Sequence, residues 1–368
     1  EINIKQFKKI IVKTKPSTLN SLITNKIEKG KLLCNLELYF NDDLDVINFI
    51  ARGKAYKINS KINDRLSLKN TSFNFFADTT DILVTNIISN TDGLLIKNGN
   101  LKINNNEKID LKFEFDTEVK INKENINNYL TFFRSLKFIN KETKLNADLN
   151  NYLQMSFDKT FKIINYTYKN TGNVNEMAIK INKSIKNSFL TKDINNIYFK
   201  KSDFNFRYSS DKNNSIDISG VYSTNNDNFY NFNIKNNFFK KISKITLNLD
   251  IYQKINIDLI NYNKNYGKIA NVNLNIEKKK NYINIKTLKY LEDKNLISIH
   301  NLKVNDKNLI SFSSIKVKTY KNKKLKNDFS IHLKKKIKIV GNKFDANNLN
   351  KLLNDQSNTN ILKKISKD

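Results

Sequence analysis

The side chains able to do chemistry are few and scattered. His300 and His332 are the two histidines among 368 residues, and each stands beside an alternating apolar run, Ile297-Ile299 and Phe329-Ile331-Leu333. A metal centre needs several ligands converging on one point, and a general base needs a positioned partner. Neither condition is visible, so both read as histidines on strand faces. Cys34, in Leu33-Cys34-Asn35-Leu36, is the single cysteine. It excludes a disulfide framework and a Cys-based zinc site, and reads as a buried or half-buried thiol. Asp42, Asp43 and Asp45 could offer oxygen ligands, but their spacing is not that of a calcium loop. Asp78 and Asp81 flank Thr79-Thr80 in a second acidic cluster. Both clusters read as solvated turns. Eight glycines leave little room for phosphate-cradling loops, and neither a Walker nor a dinucleotide fingerprint is present. A catalytic centre needs convergent groups, so the sequence predicts a non-enzyme with no cofactor and no metal.

Charge points to partners more than to chemistry. Lys plus Arg is 65 and Asp plus Glu is 35, a net of +30, and with Arg only at positions 52, 65, 134 and 207 nearly all of it is Lys. Asn, Lys, Ile, Phe and Tyr are abundant, while Pro occurs once and Trp is missing. That is the bias of AT-rich coding, which places part of the Lys on solvated positions. The charge attracts polyanions and anionic membrane surfaces. Base readout leans on Arg forks, so no nucleic-acid partner is expected. Apolar runs such as Ile87-Ile88 and Leu94-Leu95-Ile96 are far below the roughly 18 to 20 residues of a spanning helix. No signal peptide is visible. The chain opens at Glu1 rather than Met, which suggests a mature form or an excised segment.

The elements that would position any site follow from period-two alternation along the whole chain. Ile109-Leu111-Phe113-Phe115, Phe204-Phe206-Tyr208, Ile245-Leu247-Leu249-Ile251, Ile255-Ile257-Leu259, Val272-Leu274-Ile276 and Ile315-Val317 are examples. Such runs give each strand one apolar and one wet face. Clean alternation favours antiparallel sheets over a parallel sheet buried on both sides. Asn-, Asp- and Lys-rich clusters, such as 104–107, 224–227 and 321–324, separate the runs and read as turns in which Asn stands in for Gly.

Three segments carry helical spacing instead. Residues 17–29 place Leu19, Leu22, Ile23 and Ile27 on one stripe, with Gly30 where a C′ glycine belongs. Residues 123–139 space Ile126, Leu130, Phe133 and Leu136 for an amphipathic helix, capped by Asn122, lying against a sheet face. Its seventeen residues exceed the usual three to ten of a strand. Residues 345–355 offer Asp345 as N-cap and Leu349, Leu352 and Leu353 as a stripe. No linker interrupts the chain. Residues 173–202 are the least patterned and mark a candidate join.

The order of three features resembles a family. A helix, then Gly30-Lys31-Leu32, leads into a strand ending Phe49-Ile50-Ala51-Arg52-Gly53. Thr91-Asp92-Gly93-Leu94-Leu95-Ile96-Lys97-Asn98-Gly99-Asn100-Leu101 is similar to a G-x-x-I-x-x-G-x-L hairpin. Gly341-Asn342-Lys343-Phe344-Asp345-Ala346 is similar to a G-x-x-F-D-A turn before a Leu-rich helix. Together these resemble AsmA-like proteins of Gram-negative envelopes, of the YhdP and TamB type. Low glycine content departs from the family.

The resemblance implies a mainly β fold: a long twisted antiparallel sheet curled into an open groove, with two or three short amphipathic helices. The whole of 1–368 would be one elongated repeating segment of a longer protein. It would be periplasmic, held to the inner membrane by a segment outside this chain, and engaged in moving phospholipids between inner and outer membranes. Its partners would be acyl chains and the two membrane surfaces. The apolar stripe assigns the groove face to Phe113, Phe115, Phe206, Ile218, Ile234, Leu247, Leu249, Ile257, Leu274, Ile276 and Ile285. Two alternatives stand beside this reading: an extracellular structural or adhesive β-protein with a closed core, and an outer-membrane β-barrel.

Overall fold

The computed structural model describes residues 2–3, 6, 25–61, 67–129, 142–185, 193–210, 214–305, 308–333 and 336–348. The first strands are β1 (Ile2–Asn3), β2 (Ile27–Phe40), β3 (Val46–Lys61), β4 (Ser67–Ala77), β5 (Asp81–Thr91), β6 (Leu94–Asn105), β7 (Ile109–Ile121), β8 (Lys144–Phe157), β9 (Ile163–Ile185) and β10 (Ile194–Ser209). Then follow β11 (Asn214–Ser223), β12 (Tyr230–Phe239), β13 (Ile242–Ile251), β14 (Ile255–Ile257), β15 (Tyr262–Lys264) and β16 (Ala270–Lys278). The last are β17 (Ile283–Glu292), β18 (Asn295–Val304), β19 (Leu309–Ser311), β20 (Ser314–Lys321), β21 (Lys324–Leu333) and β22 (Ile337–Lys343). The protein is mainly β, and its antiparallel strands do not close into a barrel.

The chain divides into two compact units. Unit 1 comprises Glu1–Lys180 and Tyr198–Ser215; unit 2 comprises Ile181–Ile197 and Ile216–Asp368. In unit 1, β2 to β9 form a meander in which each strand pairs antiparallel with the next. β10 joins β9, and β1 adds to β2 at Lys31 and Leu32. In unit 2 the ladder runs β12, β13, β16, β17, β18, β20, β21, β22, again antiparallel throughout. β14 and β15 pair only with each other, as a hairpin inserted between β13 and β16.

Four consecutive strands of unit 1 each carry one residue too many. Lys57, Asn70, Asn86 and Asn98 all have φ between 52° and 55°, and the register shifts beside each of them. These are β-bulges with a left-handed residue, which bend the strand and raise its twist. Asn tolerates this conformation because its short polar side chain bonds locally. Seven of the fourteen positive-φ non-glycine residues described are Asn, so Asn takes the role that glycine content left open.

Little helix is seen among the described residues, and the expected amphipathic helices fall mostly outside them. Among the described residues it is confined to Gln6, Asn25–Lys26 and two 3-10 turns, Ile126–Asn128 and Asp258–Ile260. The stripe residues Leu19, Leu22 and Ile23 lie outside the described residues, but Ile27 to Lys29 are already strand. Gly30 sits inside β2 against Ile58, not at a helix end. Of the 123–139 segment, Asn122 does accept the Glu124 N–H at 2.9 Å and Ile126 opens a turn; Leu130, Phe133 and Leu136 lie outside the described residues. So does the stripe Leu349, Leu352 and Leu353. The length argument also fails here, since β9 runs 23 residues and β3 and β10 run 16 each.

Candidate functional site

Cross-strand pairs decide which apolar residues share a face. In unit 2 one row runs Phe232, Leu249, Val272, Tyr290, Ile297, Val317, Phe329 and Gly341. The next runs Ile234, Leu247, Leu274, Leu288, Ile299, Ile315, Ile331 and Ile339, and a third runs Ile245, Ile276, Ile285 and Leu302. All point to one side of eight strands, because directly paired residues lie on the same face.

Among the described residues this face is covered at one end. The inserted hairpin lays Ile255, Ile260 and Tyr262 on Ala270, Tyr290, Val317 and Phe329, and these seven form a buried cluster. Full burial of such side chains contributes about 1.5–3 kcal/mol each. In the first row Phe232, Tyr290, Val317 and Phe329 are therefore buried, while the second and third rows are partly buried up to the exposed edge residue Ile339. The Gly341–Ala346 motif locks the covered end. Gly341 faces Phe329 where a Cβ would collide with it, and Phe344 meets Phe329 edge-on at 5.5 Å. Asp345 accepts from Asn261 at the hairpin tip at 3.2 Å.

Charged groups are buried beneath the same cap. Glu292 accepts from Tyr262 Oη at 2.7 Å and from Asn295 Nδ2 at 2.6 Å. Burial, with these neighbours, pushes the Tyr262 phenol far above its ordinary range. Lys264 is fully buried, and its Nζ donates to the Gln253 carbonyl at 2.9 Å. Burial pushes its pKa down to about 8. Tyr262 thus ties the hairpin to Glu292 of β17, while Lys264 closes the hairpin on its own backbone through the Gln253 and Asn265 carbonyls.

Unit 1 repeats the plan with different parts. One row runs Phe75, Val84, Leu101, Phe113, Leu153 and Tyr168, whose ring meets Phe206 at 6.0 Å. Phe113 and Phe115 stack at 4.3 Å. At one end, the turn between β7 and β8 packs Ile126 and Tyr129 on Val119, Ile121 and Ala147. Between that capped core and the half-exposed row lies a belt of buried polar side chains. Thr71 and Ser89 hydroxyls bond at 2.7 Å, and Asn151 donates to Thr117 at 2.9 Å and accepts from Tyr168 Oη at 2.7 Å.

Ten of the eleven residues assigned from the sequence lie half-buried on sheet strands, Phe113, Phe115 and Phe206 in unit 1 and seven in unit 2. Ile218 lies on β11, spaced by alternation with Tyr222, whose ring meets Phe232 at 6.3 Å. Ile257 is the exception. It belongs to the capping hairpin and packs against the covered cluster, so it is no part of the wall. The rows also include Leu288, Ile299 and Ile331, which alternation marks but only register aligns.

The remaining candidates stay apart. His300 and His332 both pair with Ser314, on the face opposite the apolar rows. Cys34 is exposed on β2 opposite Gly53, and partial burial raises its thiol pKa. Asp78 accepts from the Asp81 and Thr80 backbone N–H groups and the Thr80 hydroxyl, which hold its carboxyl below the usual range. Among the described residues no three of His, Cys, Asp and Glu come together as a metal would require, and no helix is long and apolar enough to cross a membrane. No family model matches the chain, and no curated protein or solved structure is similar to it.

Proposed function

We propose that this chain is a non-enzymatic protein of the Gram-negative envelope. In this reading it holds phospholipid acyl chains in an apolar β-groove and takes part in their transport between inner and outer membranes. The row from Ile234 to Ile339 supports the reading most: eight strands align apolar side chains that are only partly buried, up to the exposed edge residue Ile339, beyond a cap at one end. A sandwich core would bury such a row against a second sheet, which argues against the closed adhesive protein. Strands that do not close set aside the barrel. Each methylene taken from water contributes about 0.8 kcal/mol, so an acyl chain gains affinity along its length without polar contacts. The resemblance of the Gly93-to-Leu101 and Gly341-to-Ala346 segments to AsmA-like motifs supports the periplasmic setting and the inner-membrane anchor.

A photo-crosslinking residue at Leu247 or Leu274 tests this in cells, with Asn248 and Asn273 of the opposite face as controls. Lipid capture at the first pair alone is expected. Equal capture on both faces, or none at Leu247 and Leu274, overturns the reading.

A further inference from the structure

The uncovered end of unit 2 differs in charge from its capped end. The strands alternate in direction, so the turns β12–β13, β16–β17, β18–β19 and β21–β22 all fall opposite the cap. They carry Lys240, Lys241, Lys279, Lys280, Lys303 and Lys336. Among the described residues of these turns the acidic side chain is Glu277, already paired with Lys279 at 3.0 Å and Lys286 at 3.0 Å. The opposite end carries lysines too, Lys254, Lys268, Lys294, Lys321, Lys323 and Lys324, but there Asp227, Asp258, Glu292, Asp293 and Asp345 offset them.

Apolar side chains are exposed among these lysines. Ile242, Ile283, Leu309, Ile310 and Ile337 all lie at this end and face solvent. Aromatic rings sit under the ammonium groups: Lys303 Nζ is 4.0 Å and Lys279 Nζ 5.6 Å from the Tyr282 ring, and Lys240 Nζ is 5.2 Å from that of Phe239. Amphipathic rings beside lysines, with aliphatic side chains at the tip, suit a lipid headgroup boundary. What distinguishes this end is the combination of exposed aliphatics with lysines that have few acidic neighbours.

We infer that this end of unit 2 docks on an anionic phospholipid surface, with lysines meeting headgroups and the aliphatic tips entering the acyl boundary. The inference rests on the reading of the apolar rows as a lipid-holding face, and it names the end at which that face meets a membrane. Attraction of this kind is worth about fivefold in partition per lysine near the surface.

Sedimentation of the whole chain with vesicles of seven parts phosphatidylcholine to three parts phosphatidylglycerol tests it. Binding is expected there, absent on pure phosphatidylcholine, and lost at about 0.5 M salt. The fourfold variant Lys240→Glu, Lys241→Glu, Lys280→Glu, Lys336→Glu should bind at least about tenfold more weakly. A charge-matched variant at the capped end, Lys294→Glu, Lys321→Glu, Lys323→Glu, Lys324→Glu, should keep most of its binding. Equal loss in both variants overturns the inference, since the chain's total charge would then explain the binding. A fluorophore at Ile283→Cys, in a Cys34→Ser background, gives a second readout on folded protein. It should brighten on anionic vesicles while the same label at Lys323→Cys does not; brightening at both sites or neither also overturns it. Lipid capture at Leu247 without vesicle binding removes the docking end and leaves the groove standing. Vesicle binding confined to this end without capture at Leu247 keeps the docking end and removes the groove.

Discussion

Asn327 Oδ1 accepts the backbone N–H of Asp345 at 2.9 Å, and Asn327 is completely buried. The same amide donates to the Ile260 carbonyl and the Thr319 hydroxyl, each at 2.8 Å. One side chain thus joins the capping hairpin, β20 and the segment after β22. Asn327→Leu leaves those groups unpaired and should cost about 2–4 kcal/mol. Hydrogen exchange at residues 255–264 is the measurement; unaltered protection of the hairpin would show that the amide is not its anchor.

Lys264 makes the capped end sensitive to alkaline pH. Burial lowers its pKa to about 8, partly opposed by Glu292 and reinforced by Lys268. The unfolded lysine holds its proton to about pH 10.4. Between about 8 and 10.4 the unfolded state binds more protons, so stability rises with pH, by at most about 3 kcal/mol. Below 8 both states are charged and the gain is absent. Hairpin exchange compared at pH 7.5 and 9.5 should show this rise in the native chain, and Lys264→Met should flatten it. Parallel profiles for the two proteins would count against the assignment.

Gly341→Ala should detach β22. A Cβ there collides with Phe329 and lies 2.5 Å from the Asp328 carbonyl oxygen. Overpacking of this kind costs about 1–3 kcal/mol. Selective loss of exchange protection over residues 337–343 is expected, and retention of native protection would contradict it.

His300→Ala and His332→Ala should each change stability by less than about 0.5 kcal/mol and leave lipid capture at Leu247 intact. Both lie on the polar side of their strands, on either side of Ser314. A folded variant of either that loses capture would give that histidine a functional role.

Alternation made the strands and their inward residues legible because each face of a strand meets one environment. Ile234, Leu247, Leu274 and Ile276 were therefore readable one strand at a time. Ile257 was not: Ile255-Ile257-Leu259 alternates like a wall strand, but Asn261 in the left-handed region turns the chain back into a hairpin that lies on the face. The polar belt of unit 1 was also hidden. Thr71, Ser89, Thr117 and Asn151 come from four different strands, so only register gathers them. The opening helix fared worst near Gly30. A glycine after an apolar stripe reads as a helix stop, yet the close approach of Ile58 demands it within a strand.

The bulge seam sets where this chain can tolerate a change in length. Along β5, Ile82 and Val84 share the apolar face by even count, and beyond Asn86 that face is taken by Ile87, Ser89 and Thr91, by odd count. Deleting Asn86 would restore unbroken alternation and look harmless on paper. It would keep Ile87, Ser89 and Thr91 on the inward face but leave β5 one residue short beside β4 and β6, whose own bulges at Asn70 and Asn98 would lose their counterpart, so the ladder would lose twist or slip in register. One-residue insertions and deletions should therefore be tolerated in the connecting turns and selected against at Lys57, Asn70, Asn86 and Asn98, so that relatives of this chain keep strand length fixed there even where the residue type drifts.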